Sequence, residues 1–372
     1  MIKVLITDAQ YKHTLGAVRN LNKKGYYIIA GSQSKNALSF FSKYCNEKLI
    51  YPDPKNVDEF TKFLIKYLEN NHIDVLLPIG YNTTVAISKR KNELIKYTHI
   101  PVADFNVMEI ASNKDKTMKL ASKLDLITPK EYNEKEKIER FPVVAKGIYE
   151  SGNIQYINSQ KDFLKLKLSN YIIQEYIPGE GYGFYALLNH GNVKAIFMHK
   201  RLREYPITGG SSTAAMNTYD EELMNLGLKL LKALKWHGVA MVEFKKDSRD
   251  NQFKLMEINP KFWGSLDLST TAGVDFPELA IKMALGEEFD PVMTYDQNTK
   301  FRWLFPDDTI HLFANPRSFG SYMKDFFDKN TYGNVQFDDI KPNIIQIFNT
   351  FFYLLIHIKN RNLKYPHGKP EV

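Results

Sequence analysis

The chain has 372 residues, with 50 Lys and Arg against 42 Asp and Glu for a formal net charge of +8, and 44% of it is apolar. That length supports two or three domains with a large core, and that apolar content excludes global disorder. The cationic surplus is lysine-rich and dispersed, with no basic block interleaved with stacking aromatics, so it suits small phosphorylated ligands and argues against nucleic acid.

Residues 3–7 read as a strand, with no leader expected ahead of them. Leu15, Val18 and Leu21 mark a helix face that stops at Gly25, and a strand follows at 26–30. Asn56-x-x-Glu59 is a capping box, opening a helix with Phe60, Phe63, Leu64, Tyr67 and Leu68 on one face. The continuous apolar run at 75–79 has the signature of a buried parallel strand. This alternation predicts a doubly wound, Rossmann-like domain over residues 1–108. Asp8-Ala9-Gln10-Tyr11 stands where G-x-G-x-x-G would, which argues against a dinucleotide site.

Beyond about residue 110 the pattern changes to strand pairs with intervening helices, an α+β region extending to 290. Ser112-x-x-Asp115 reads as the cap of a helix carrying Met118, Ala121 and Leu124. Strands are expected at 142–147, 154–157, 171–177, 183–189, 193–202, 238–245 and 253–259. Helices are expected at about 220–235 and from Asp275 to Gly286. In the C-terminal extension, 291–372, a helix over about 343–359 places Gln346, Thr350, Tyr353 and His357 on one stripe. Ile, Leu and Phe fill most of the rest, and Lys359, Arg361 and Lys364 follow. Two placements are open to this helix: packed on the body or on a second subunit, or lying on a membrane surface.

The most informative stretch is Glu257-Ile258-Asn259-Pro260, which closes one apolar run, with Glu243 closing another 14 residues earlier. A polar turn between the runs predicts an antiparallel hairpin. Period-2 alternation sets Glu243 with Met241 on one face, and Glu257 with Asn259 on one face. Two carboxylates and an amide oxygen converging on one spot make a hard-oxygen site for Mg²⁺ or Mn²⁺ with bound phosphate. Lys146, at the end of an apolar strand and followed by Gly147 and the Ser151-Gly152 turn, is a candidate point charge on phosphates. His199-Lys200-Arg201-Leu202-Arg203 running into Pro206-Ile207-Thr208-Gly209-Gly210-Ser211-Ser212-Thr213 makes an anion-binding surface. The one cysteine, Cys45, excludes an internal disulfide framework and suits the cytoplasm. The histidines show no zinc-binding spacing, and Walker and Gly-x-Ser patterns are absent.

The ordered set resembles the ATP-grasp superfamily, in particular its single-unit, carbamoyl-phosphate-synthase-like carboxylate–amine ligases. The landmarks are Ser112-Asn113-Lys114-Asp115-Lys116, Phe141-Pro142-Val143-Val144-Ala145-Lys146, Ile172-Ile173-Gln174-Glu175-Tyr176-Ile177-Pro178-Gly179-Glu180, and Glu243 with Glu257-Ile258-Asn259-Pro260. The resemblance implies a Rossmann-like domain, then an ATP-grasp fold divided into 109–180 (nucleotide lid) and 181–290 (metal and catalytic residues), then a helical tail. It implies ATP with Mg²⁺ held by Glu243, Glu257 and Asn259, and phosphates held by Lys146 and by Lys114, with Lys116 as the alternative. Gln174, Glu175 and Ile177 would meet adenine, and Glu180 the ribose. Lys200, Arg201 and Arg203 would meet the transferred phosphoryl group and the carboxylate, with Lys261 where many relatives carry arginine.

The implied activity joins a small-molecule carboxylate to an amine through an acylphosphate. Alternatives are an ATP-binding regulatory or assembly protein without turnover, and a membrane-peripheral enzyme modifying a cell-surface glycan or lipid-linked precursor. A homodimer is compatible with such folds. Specificity is expected from loops at 8–13, 80–84, 204–213 and 262–272, with Phe262, Trp263 and Arg302 as candidate contacts.

Overall fold

The computed structural model describes residues 1–133, 137–149, 154–166 and 171–371. The N-terminal alternation becomes β1 (Lys3–Ile6), α1 (Lys12–Lys23), β2 (Tyr27–Ser32), β3 (Glu47–Ile50), α2 (Val57–Asn70) and β4 (Val75–Leu77). The strands form a parallel sheet in the order β3-β2-β1-β4. Val4, Leu5 and Ile6 have no exposed surface, because a parallel sheet covered on both faces leaves no side for polar residues. The Asn56 box forms: its side chain accepts the Glu59 N–H and donates to the Glu59 carboxylate.

α3 (Tyr81–Lys89), α4 (Lys91–Leu94) and α5 (Phe105–Ser112) then lead to α6 (Lys114–Lys123). α6 starts one residue later than the Ser112 box implies. Asn113 is the cap, accepting the Lys116 N–H at 3.0 Å, and the Ser112 hydroxyl has no partner among the described residues. The shift bears on the two lysines: Lys114 is only 7% exposed, while Lys116 pairs with Glu109 at the surface.

β5 (Val143–Gly147), β6 (Ile154–Ile157), α7 (Gln160–Phe163) and β7 (Tyr171–Glu175) follow. The strands make a small antiparallel sheet, β6-β5-β7, over its own core of Val143, Ala145, Ile157, Phe163 and Ile173. The Ser151-Gly152 turn lies outside the described residues.

The largest sheet begins with β8 (Gly179–Asn189), β9 (Asn192–Tyr205) and β10 (Ser211–Asn217); after α8 (Glu221–Ala233) come β11 (Gly238–Asp247) and β12 (Phe253–Asn259). Part of the segment expected as a loop at 206–213 is therefore strand, paired with the end of β9. α9 (Leu266–Thr271) and α10 (Phe276–Ala284) pack beneath the sheet, and Phe276, Ala280 and Ile281 share a core with Tyr185, Leu187 and Phe197. The extension supplies β13 (Lys300–Arg302), α11 (Thr309–Ala314), α12 (Phe319–Lys324), β14 (Thr331–Gly333) and α13 (Ile340–Lys359). β13 and β14 complete a seven-stranded sheet, β12-β11-β8-β9-β10-β13-β14. Among the described residues no helix is long and apolar enough to cross a membrane.

Candidate active site

The acidic residues are placed by the β11–β12 hairpin. Its register sets Glu243 opposite Glu257 and Met241 opposite Asn259, with a bulge directly after Glu243. Directly opposed residues on one face of an antiparallel pair stand about 5 Å apart at Cβ. All four line a cavity of about 340 Å³ whose walls come from both the small and the large sheet. The Asn259 amide donates to the Glu257 carboxylate at 2.9 Å, tying those two residues together.

Each carboxylate faces a cation. Lys114 Nζ lies 3.1 Å from Glu257, and Arg201 lies 2.8 Å from Glu243 while donating to the Gly210 carbonyl at 2.9 Å. The two acids differ as a result. Burial raises the Glu243 pKa more than Arg201 lowers it. For Glu257 burial also raises it, but Lys114, the Asn259 amide and Lys146 outweigh that and hold it below the ordinary carboxylate range. Lys146 reaches across from β5 and donates to Gln174 Oε1 at 3.0 Å. Burial pushes its pKa down to about 8, against the upward pull of Glu257 and Glu243.

Of the hinge residues, Ile177 lines the cavity and its carbonyl accepts from Lys245 Nζ at 2.9 Å. Glu175 borders the cavity, but its carboxylate is turned to the Lys130 N–H and to Arg249. Gln174 is fully buried and bridges Lys146 and Glu131. Lys261 is in the cavity wall.

Several expected residues do not line the cavity, fully buried Gln174 among them. Lys200 and Glu180 pair with each other at 3.2 Å, away from the cavity, because strand alternation turns Lys200 opposite to Arg201. Arg203 shares the parity of Arg201 but is captured by the extension. It donates to Asp308 at 2.7 and 2.9 Å and to Asp325 at 2.6 Å. Arg302 is buried, stacked on Tyr322 and Phe326, and Phe262 is core; Trp263 alone of that trio lines the cavity.

Other wall residues went unnoticed in the sequence. Tyr185 stands opposite Met241 in the β8–β11 register and bonds His199 Nε2 at 2.5 Å. Tyr156, on β6, donates to the Thr208 carbonyl at 2.7 Å and so ties the small sheet to the 206–210 turn. His367, from the extension, also lines the cavity, and the backbone at Lys369 and Glu371 bonds Asn158 just beyond β6.

The donor set fits a phosphorylated ligand with a hard divalent cation. Arg201 Nε, Trp263 Nε1 and Thr208 Oγ1 are buried in the wall with no hydrogen-bond partner among the described residues, and such donors call for an anion. Glu243, Glu257 and the Asn259 oxygen are ligands of the type Mg²⁺ or Mn²⁺ prefers.

Residues 167–304 match the family model described as ATP-grasp in the biosynthetic pathway with Ter operon. A D-aspartate ligase of Enterococcus faecium is 23% identical over 95% of this chain and 94% of its own length. The fold superposes on N5-carboxyaminoimidazole synthetase from Staphylococcus aureus with a TM-score of 0.65 at 16% identity, covering 86% of each chain. The chain carries an ATP-grasp family domain. L-amino acid ligase from Bacillus licheniformis shares the ATP-grasp fold too, with a TM-score of 0.61 at 16% identity over 77% of this chain and 74% of that one. With a ligase among its relatives over nearly its full length, the protein is an enzyme of the ATP-dependent ligase type.

Proposed function

We propose that the protein joins a small-molecule carboxylate to an amine at the expense of ATP, through an acylphosphate, releasing ADP and phosphate. The observation that carries this reading is the pairing of Glu243 with Glu257 on the floor of a cleft that also receives Lys114, Lys146 and Arg201. Carboxylates are poor acyl donors because oxide is a poor leaving group. Attack of a carboxylate oxygen on the γ-phosphorus, with departure of ADP, turns that oxygen into part of a phosphate. The amine nitrogen then bonds the acyl carbon, the C–O bond to phosphate breaks, and the nitrogen loses its proton.

The protein's share is positioning and charge neutralisation. Lys114 and Lys146 would hold phosphate oxygens, and Glu243, Glu257 and Asn259 would hold a divalent cation, which would supply charge neutralisation to the nucleotide's phosphates. Arg201, with its Nε orphaned in the wall, is the best-placed donor to the transferred group. The backbone of Glu175 and Ile177 borders the space for adenine. The sequence similarity to a D-aspartate ligase over nearly the whole chain makes amino acids, D-aspartate included, the first substrates to try.

Phosphate release measured over a panel of amino acids and amines with Mg²⁺ and ATP tests the reading. Release that requires both an acid and an amine is expected; ATP binding with no release under any pair would instead make this a nucleotide-binding protein without turnover. The placement of neighbouring cations gives a second expectation. Arg201→Ala should lower kcat/KM by at least about 10²-fold, as loss of one aimed donor does, while Lys200→Ala stays within about twofold, as a surface substitution does. Equal losses would show that the β9 face has been misassigned.

pH supplies a third. A lysine with its pKa lowered to about 8 is cationic below that value and loses its charge as pH rises through it. Hence kcat/KM for ATP should fall above about pH 8, and Lys146→Arg should remove that alkaline limb, since guanidinium stays charged. A profile flat to about pH 10 in the parent enzyme, near the ordinary lysine value, would contradict the role given to Lys146.

A further inference from the structure

Helix α13 is amphipathic in the reverse of the usual sense. Its polar stripe faces the body: Asn343, Gln346 and Thr350 are 2–4% exposed. Asn343 accepts from Arg19 and donates to the Gln336 carbonyl, which fixes the rotation of the helix about its axis. The apolar residues consequently point outward. Ile344, Ile347, Phe348, Phe351, Phe352 and Leu355 are each 45–59% exposed. A contiguous apolar stripe of this kind on a helix marks a docking surface.

Charge decides what covers it. Lys341 and Lys359 are 18 residues apart, five helical turns, so they stand on the same side of the helix as the apolar stripe and at its two ends. Both are exposed, as are Arg361 and Lys364, and no Asp or Glu occurs from 340 to 370. Just ahead of the helix, Asp338 is engaged by Lys23 and Tyr44, and Asp339 by Arg19. A second copy docked by two-fold antiparallel pairing of this helix would bring Lys341 against Lys359 with no carboxylate between them. An anionic bilayer supplies what the face lacks, apolar depth under the helix and phosphates at both ends, where lysines extend along apolar surface to reach them.

We propose that α13 lies flat on an anionic phospholipid surface, its Ile, Leu and Phe side chains entering the headgroup boundary and Lys341 and Lys359 meeting lipid phosphates. The helix is not a spanning segment. The inference does not depend on the ligase reading, and its test uses no turnover.

Flotation of the full chain with phosphatidylcholine vesicles, with and without phosphatidylglycerol, reads it directly. The protein is expected to float with the anionic vesicles only and to be released by salt. The exposed pair Phe351→Ser and Phe352→Ser should weaken partitioning at least about tenfold, as loss of two inserted aromatics implies. Lys341→Glu with Lys359→Glu should abolish the preference for anionic lipid, and provides an independent variant should the first fold poorly. Failure to float with either vesicle, equal flotation with both, or a stable dimer that dissociates on the Phe351 and Phe352 substitutions would each overturn the proposal.

Discussion

Glu257→Gln is expected to reduce ATP-dependent phosphate release by about 10²- to 10³-fold, the scale on which loss of one charge-stabilising group acts in a preorganised site. The substitution keeps size and hydrogen-bonding shape but removes the negative charge that divalent cations need. Glu257 is the better of the two acids for this test. Its pKa is held low by Lys114, the Asn259 amide and Lys146 despite burial, so it is anionic at every pH at which the enzyme would be assayed. The fold should survive, since the amide matches the carboxylate in shape and its one oxygen can still accept from either Asn259 or Lys114. Circular dichroism and the melting temperature check this, and magnesium titration should show a weakened requirement curve. Turnover near the parent level in a folded Glu257→Gln protein would end the metal assignment.

The second large effect is expected on stability, far from the chemistry. Asp308 has no exposed surface and meets Arg203 at 2.7 and 2.9 Å, Thr213 at 3.1 Å and Arg302 at 2.9 Å. Asp308→Asn takes the paired carboxylate from buried Arg302 and leaves Arg203 with Asp325 alone. Breaking one partner of a buried pair costs about 3–5 kcal/mol, because the remaining charge stays desolvated and uncompensated. Urea denaturation should show that loss, whereas Lys165→Ala, which breaks an exposed pair with Asp162, should be indistinguishable from the parent. Arg203→Ala separates the two roles open to that residue. A drop in stability with little change in kcat/KM fits the observed network, while unchanged stability with lost activity would restore it to the catalytic set.

The acidic hairpin was legible because its evidence is local. Two apolar runs, a polar turn and period 2 suffice to predict the hairpin and the face each acid shares with its neighbour two residues away, while the bulge after Glu243 that sets it opposite Glu257 has no local signal. Lys245 was equally legible, since it lies two residues beyond Glu243 on the same face, and it lines the cavity. The basic strand was harder. Periodicity says that Lys200 and Arg201 point opposite ways, but only the sheet says which one faces inward. Arg203 follows Arg201 by parity, yet Asp308 is 105 residues away in sequence, and no local pattern announces that partner. The register of β8 that brings Tyr185 to Met241, and the return of the chain that brings His367 to the wall, are likewise set by long-range packing. For α13 the polar stripe and packing on the body were both readable, but not which face turns inward: a polar stripe normally faces water, and here it faces the protein.

The late arrival of β13 and β14 matters for synthesis. Until residues 300–333 have left the ribosome, β10 is the rim of the largest sheet, with a row of backbone donors and acceptors unmatched on one side. Nascent chains stalled between about 260 and 300 would therefore expose a sticky flank, and truncations that stop short of β13 risk association through it.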